Sequence, residues 1–302
     1  MSLLDRKTWQ LLTLLLLSFI WGTSFILMKK GLLAFPPDVM AALRIACAYI
    51  YFLPLALRSL PKLNKKNVKS LFIAGFIGNY FPAIFFGISE QHISSALASM
   101  LNATTPIFTC LIEIIFYGAS TSVLAVMGIF IGFIGTMGLI TKNIHHFFTN
   151  WNFYAMMVLI ATLFYGINTN EIKHKLKDLD ALAVASLGFF MAGPFAIIHL
   201  LIRGFPLHYM HHPYFKISLF SIMILAFFSS FIAIIIFNIL LKHTSAIFTS
   251  SVTYIIPAFG IFWGLLDGEK IPTYQYLFVI ITIFGVYLIN KAKYSTKPNV
   301  KF

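Results

Sequence analysis

Along its length the chain alternates between long stretches free of Asp, Glu, Lys and Arg and short polar breaks. Ten spans follow from this pattern, the second and fourth each carrying one internal charge, Arg44 and Glu113: Thr8 to Met28, Val39 to Leu57, Ser70 to Ser89, Gln91 to Phe116, Ser122 to Thr141, Asn150 to Asn170, Ala181 to Ile202, Ile217 to Leu241, Thr244 to Leu266 and Ile271 to Asn290. Each has about the length an α-helix needs to cross roughly 30 Å of hydrocarbon at about 1.5 Å per residue. Runs such as Ile232 to Phe237 (IAIIIF) do not alternate, which argues against a β-barrel. Only Glu90, Gln91 and His92 separate the third and fourth stretches, so a tight re-entrant hairpin competes with two full spans there. The first stretch follows Arg6 and Lys7 like a secretory leader. It is longer than a leader and lacks a small-x-small site before Lys29, so it reads as a retained helix.

Composition agrees with this pattern. Of 302 residues, 59% are apolar and 10% charged, with a mean hydropathy of +0.88. A water-soluble fold, in which about a quarter of residues are charged, is excluded. Cys47 and Cys110 lie inside apolar runs and form neither a disulfide framework nor a metal motif. The net charge of +13 points either to nucleic acid or to membrane orientation. With the N-terminus inside, the inner segments hold 15 of the Lys and Arg residues and the outer segments 6, Arg44 being within a span. The charge is therefore an orientation signal that places both termini in the cytoplasm, and no nucleic acid partner is expected.

The two halves resemble each other. Ser18 to Ser24 (SFIWGTS) matches Thr162 to Asn168 (TLFYGIN), pairing Trp21 with Tyr165, and Pro54 matches Pro194. Ser94 to Phe108 matches Ser245 to Phe259, pairing Pro106 with Pro257 and Asn102 with Thr253; Phe133 to Gly135 matches Ile283 to Gly285. The offsets are 144, 140, 151 and 150, which predicts repeats over 1–145 and 146–302. Five spans per repeat is an odd number, so the second copy must run inverted through the membrane. Inverted repeats with a binding site near mid-membrane are an architecture of secondary transporters.

Trp21-Gly22-Thr23-Ser24, the Phe35-Pro36-Pro37 turn leading to Leu43-Arg44, the small-residue helix ending at Pro106, and Asp267-Gly268-Glu269 followed by Gly285 make the chain resemble the drug/metabolite transporter superfamily, EamA type, over nearly its whole length. The resemblance implies an all-α fold of ten helices in two inverted five-helix repeats and a central cavity. It also implies alternating access for small organic solutes, amino acids, drugs or other metabolites among them, often exported across a bacterial inner membrane. One departure is visible. The family carries an acidic residue after the fourth helix of the first repeat, where this chain has Gly118-Ala119-Ser120, with Glu113 a turn earlier.

Candidate site residues follow from polar groups placed deep in the spans, where each needs an account. Asn79 shares a helix face with Gly75, Gly78 and Pro82; Asn102 and Thr105 belong to a small face ending at Pro106; Ser250 and Thr253 lie on another ending at Pro257. Small faces also serve close helix packing. Trp21, Ser24, Tyr165, Asn168, Ser229, Ser230 and Tyr254 complete the expected lining. Pro106 and Pro257 are expected to bend their helices. Arg44 is a candidate for holding a carboxylate or phosphate, or else snorkels to headgroups. Glu113 is a candidate for a coupling proton, or else pairs with a basic neighbour.

His208, His211 and His212, with His145 and His146, lack the spacing and acidic or Cys partners of a zinc site. No metal or cofactor is expected, and no P-loop, GxSxG or HExxH pattern supports ATP-driven transport or hydrolase chemistry. The expected partners are the bilayer, a small solute and a coupling proton or ion. A rival reading is an intramembrane enzyme acting on lipid or isoprenoid substrates, which requires Arg44, Glu113 and histidines to converge. A membrane scaffold is a third.

Overall fold

A computed structural model describes residues 7–119, 122–141 and 152–292. Ten helices in it are long and apolar enough to span a bilayer: α1 (Thr8–Gly31), α2 (Pro37–Lys62), α3 (Val68–Glu90), α4 (Ser95–Tyr117), α5 (Val123–Ile140), α6 (Phe153–Lys175), α7 (Ala181–Ile202), α8 (Phe215–His243), α9 (Ala246–Leu266) and α10 (Thr273–Lys291). The protein is thus an all-α polytopic membrane protein of two five-helix repeats, inverted by their odd span number. The competing hairpin is resolved, since α3 and α4 are separate spans joined across 91–94. An even number of spans puts both chain ends at one face, here called the termini end; the opposite face is the far end. Of the charges used for orientation, Arg6, Lys142, Lys293, Lys297 and Lys301 lie outside the described residues, as do His145 and His146.

The outward surfaces are apolar. Leu11, Leu12, Leu15 and Leu16 of α1, Phe130 and Ile134 of α5, and Ile280 and Phe284 of α10 are exposed, a pattern that fits lipid rather than water. Inside, packing repeats about an approximate two-fold axis. α1 lies against α8 and α9, as α6 lies against α3 and α4; α2 meets α8 as α7 meets α3; α2 and α7, and α5 and α10, pack on their own counterparts.

Close crossings rest on missing side chains. A Cβ on Gly22 would lie 2.5 Å from Phe259 Cβ in α9, and one on its repeat partner Gly166 would lie 2.9 Å from the Thr109 nitrogen in α4. Between α5 and α10 the backbones nearly touch: a Cβ on Gly285 would stand 2.4 Å from the Gly132 nitrogen, and one on Gly128 2.5 Å from the Gly285 carbonyl. In lipid, where burial of apolar surface gives helices little reason to associate, such approach is a main source of attraction.

Two pairs of helices are irregular, at corresponding places. α4 breaks after Asn102 and resumes at Thr105–Tyr117, while α9 tightens into a 3₁₀ turn over Ser251–Tyr254 and resumes at Ile256–Leu266. Pro106 and Pro257 are the second residues of the resumed segments, where a missing N–H costs no hydrogen bond. Carbonyls freed at the breaks are taken up locally. Thr104 Oγ1 donates to the Leu101 carbonyl and Thr105 Oγ1 to that of Asn102, both at 2.8 Å. Ser251 Oγ donates to the Phe248 carbonyl and Thr253 Oγ1 to that of Ser250. In the other pair, α3 widens to π-helix over Phe76–Tyr80 and α8 over Leu225–Ile232, again near mid-span. Asn79 Nδ2 donates to the Ala74 carbonyl at 2.8 Å within the first, and Trp21 Nε1 to the Ser229 carbonyl at 3.1 Å within the second.

The glycine crossings yield a stability prediction. Gly285→Ala should lower unfolding stability by about 1–3 kcal/mol through overpacking. Gly188→Ala should be near neutral, because its Cβ would sit 3.5 Å from Ala74 Cβ, an ordinary contact. Thermal unfolding of the two detergent-purified variants checks this, and equal losses would remove the crossing's special status.

Candidate functional site

Between the repeats lies a cavity of about 110 Å³ whose walls come from both halves of the chain. Its lining has a depth pattern that inverted repeats generate. From the first repeat come Trp21, Ser24, Phe25 and Met28 of α1 and Arg44 of α2, all in the half of their helices nearer the far end. From the second come Tyr165, Asn168, Thr169 and Ile172 of α6 and Val184 to Phe189 of α7, all nearer the termini end. Corresponding sequence positions therefore meet the cavity at opposite depths.

Most residues expected at a site are brought together here. Trp21, Ser24, Asn79, Asn102, Thr105, Tyr165, Asn168, Ser250 and Thr253 line the cavity, and Arg44 joins them. Ser229, Ser230 and Tyr254 are not among its lining residues. Ser229 Oγ pairs with Ser24 Oγ, Ser230 Oγ accepts from Arg44 Nε at 2.8 Å, and Tyr254 donates its hydroxyl to the Val286 carbonyl at 2.7 Å while accepting from Asn290 Nδ2. The two serines thus hold lining residues, and Tyr254 ties α9 to α10. The contact between Ser24 of α1 and Ser229 of α8 has a repeat counterpart in α6 and α3, where the Asn168 amide fills the space a Cβ on Gly78 would take, 2.4 Å away.

The lining is amphipathic. Trp21, Phe25, Phe86, Tyr165, Phe189 and Phe237 supply aromatic wall, and amides and hydroxyls supply polar points. Asn168 and Asn238 both line the cavity, and the Oδ1 of each is buried with no protein donor. Asn238 and Thr169 were not anticipated; the lone amide within Ile234 to Leu241 was the available signal for Asn238.

The acidic residues fall elsewhere. Glu113 is buried near the termini end of α4, with Oε1 3.7 Å from His174 Nε2, and does not line the cavity. It is in the opposite half of the bundle from Arg44, so the convergence an intramembrane enzyme would need is not formed by this pair. Glu90 was read as part of a polar break. It closes α3 at the far end, is 7% exposed, and neither carboxyl oxygen has a protein hydrogen-bond partner. His208, His211 and His212 are exposed, and no cluster of three or more potential metal ligands occurs among the described residues.

Beyond the cavity, the far end is tied together by charge. Lys29 Nζ lies 2.7 Å from both Asp267 Oδ2 and Glu269 Oε1, and Lys30 Nζ 2.5 Å from Asp267 Oδ1. Glu269 also receives Ser95 N–H, Ser95 Oγ and Ala96 N–H, so it caps α4 while holding α1. Negative charge at a helix N-terminus is favourable in itself. For Glu269, burial pushes the pKa up, but the Lys29 and α4 hydrogen bonds outweigh it and the net shift is downward. Hydrogen bonds from Lys29 and Lys30 likewise hold Asp267 below its ordinary range. The counterpart of Lys29 at the termini end is Lys173, which finds no acid: its ammonium donates to the Leu241 and Thr244 carbonyls, with Gly118 where the second repeat has Glu269.

Comparison with known proteins supplies a family. The pattern of the EamA-like transporter family matches residues 8–141 and 152–291. The chain is 27% identical over 292 residues to the "Uncharacterized inner membrane transporter YedA" of Escherichia coli (strain K12), covering 94% of this chain and 92% of that one. It is 24% identical over 279 residues to an "Uncharacterized transporter" of Archaeoglobus fulgidus, covering 90% and 95% respectively. A solved crystal structure superposes with a TM-score of 0.66 over 95% of this chain and 98% of that one, at 13% identity, which shows a shared fold.

The far-end cluster has a definite pH dependence. Both acids have pKa values lowered by folding, so their stabilisation is present at neutral pH and is lost as pH falls through and below the ordinary carboxylate range, near 4. Glu269→Gln should cost about 1.5–3 kcal/mol at neutral pH, the scale of a hydrogen bond to a charged group. Unfolding midpoints of wild type and variant should converge on acidification, and a constant difference down to pH 3 would contradict the assignment.

Proposed function

The chain belongs to the EamA-like transporter family, and on that premise we propose that it is a secondary carrier moving a small polar or amphipathic organic metabolite across a bacterial inner membrane by alternating access. The observation that carries the reading is the cavity, lined at corresponding positions of two inverted repeats. In this reading the repeats, 1–145 and 146–302, rock against each other about the interruptions at Pro106 and Pro257. Solute rests between Asn79, Asn102 and Thr253. The name of the Escherichia coli relative supports the inner membrane, and the 15 to 6 distribution of Lys and Arg supports cytoplasmic termini.

Where a proton couples to solute movement, Glu90 is a better carrier for it than Glu113. A buried carboxyl without a donor is costly to keep ionised, whereas Glu113 lies against His174. The charged groups acting on Glu90 are Lys29 of α1, Arg44 of α2 and Glu269 before α10, and the Tyr154 ring of α6 stacks on His92 just beyond it.

Purified protein in liposomes should take up, release or exchange members of a solute panel of mixed charge and size; no movement of any member would remove the carrier reading. Asn79→Leu and Asn102→Leu should cut flux about tenfold or more with little change in folded yield, consistent with a loss of roughly 1.4 kcal/mol in solute binding. Equal losses of yield and flux would make the amides structural. Glu90→Gln should abolish the response of flux to an imposed proton gradient and Glu113→Gln should preserve it; a gradient response unchanged in Glu90→Gln counts against proton coupling there.

A further inference from the structure

The cavity contains one feature that its two-fold construction does not require. Arg44 of α2 lines it, while the corresponding position of α7, at the offset of 140 that relates Pro54 to Pro194, is Val184, which lines it too. The same backbone site, in the same packing role, is filled by an aliphatic side chain in one repeat and a guanidinium in the other. Helix packing therefore does not demand the charge.

Nor is the charge neutralised by the protein. Arg44 Nε donates to Ser230 Oγ at 2.8 Å, and Nη1 reaches Met28 Sδ at 3.9 Å, a weak acceptor. Among the described residues no carboxylate comes within 4.0 Å of it. Glu90 acts on it only through space and is not part of the cavity wall. No Asp or Glu lines the cavity at all. A guanidinium carries five donors, and the bonds above use two. The side chain is half-buried, and its surface faces the cavity. The same cavity wall carries the aromatic rings of Trp21, Phe25, Phe86 and Tyr165.

We propose that Arg44 is the anion-binding point of the cavity, so that the transported solute is an organic anion: a carboxylate or phosphate head held by the guanidinium, with an apolar or aromatic body against the rings. This rests on the carrier reading above and narrows it. An oxyanion offers a planar or tetrahedral pair of acceptors that matches two parallel guanidinium N–H groups, and the pair is strong where water is scarce. Cations are disfavoured, because they would meet a fixed positive charge with no acid on the cavity wall beside it.

The test uses full-length protein in nanodiscs for binding and in liposomes for flux. The probes are phenylacetate, 4-methylpentanoate and phenyl phosphate, set against phenylacetamide and phenethylamine as neutral and cationic partners of similar shape. Anions should raise the unfolding temperature and be transported in wild type, while the amide and amine should do neither. Arg44→Gln should weaken anion binding at least tenfold, and Arg44→Lys, which keeps the charge and loses the fork, should fall between. Comparing the carboxylates with phenyl phosphate separates the two head groups. Selectivity in wild type is independent of how any variant folds, so a preference for amide or amine overturns the proposal even if Arg44→Gln is unstable. Arg44→Gln that elutes as a single species and binds anions as wild type does also overturns it. Either of those results leaves the carrier reading intact, whereas no flux of any probe or of the wider panel removes both.

Discussion

Hydrocarbon offers no hydrogen bonds, and every polar group placed in it must be satisfied by the protein itself. Regular α-helix is the simplest answer, and most of this chain adopts it. The irregular places show the constraint more clearly. Where α4 and α9 break, threonine and serine hydroxyls from the same turn take the freed carbonyls. Where α3 widens, the Asn79 amide bonds the Ala74 carbonyl, and where α8 widens, the Trp21 indole reaches across from α1. Three of the four irregular segments place residues on the cavity wall, and the fourth, in α8, backs it through Ser229 and Ser230. Departure from helix and the space for a ligand are one phenomenon, because backbone polarity is tolerated there only where side chains or a cavity receive it.

This constraint also explains what could be read from the amino acids alone. Span number, offsets between repeats and the consequence of parity follow from one-dimensional quantities, namely the length of apolar runs and the spacing of similar residues. Small-residue faces likewise located Asn79, Asn102, Thr105, Ser250 and Thr253 on the cavity, since three- and four-residue spacing fixes a helix face. Three expected residues stand behind the wall rather than on it, in irregular segments: Ser229 and Ser230 in the π-helical part of α8 and Tyr254 in the 3₁₀ turn of α9. Glu90 was hidden by its position in a polar break, because charge at a span's end reads as solvated unless the fold buries it.

The repeats share a backbone plan and differ in chemistry. Arg44 answers to Val184, Lys29 to Lys173, and Glu269 to Gly118. Symmetry thus supplies the shape of the cavity twice over while the guanidinium on its wall is present once, so a substrate meets a polarised site inside a symmetric frame.

The corresponding lysines Lys29 and Lys173 are held by unlike forces. At the far end Lys29 and Lys30 remain 33% and 36% exposed while bound to Asp267, so their attraction is felt through water that contains salt. Such interactions fade over a Debye length of about 10 Å at 0.1 M ionic strength and faster above it. At the termini end Lys173 is held by carbonyl dipoles of α8 and the following turn, where mobile ions have little to compete for. The electrolyte bathing the far face therefore screens this cluster and leaves the Lys173 contacts untouched, while at the opposite face the contact open to screening is the pair Lys62 and Asp180, each 49% exposed, which joins α2 to α7.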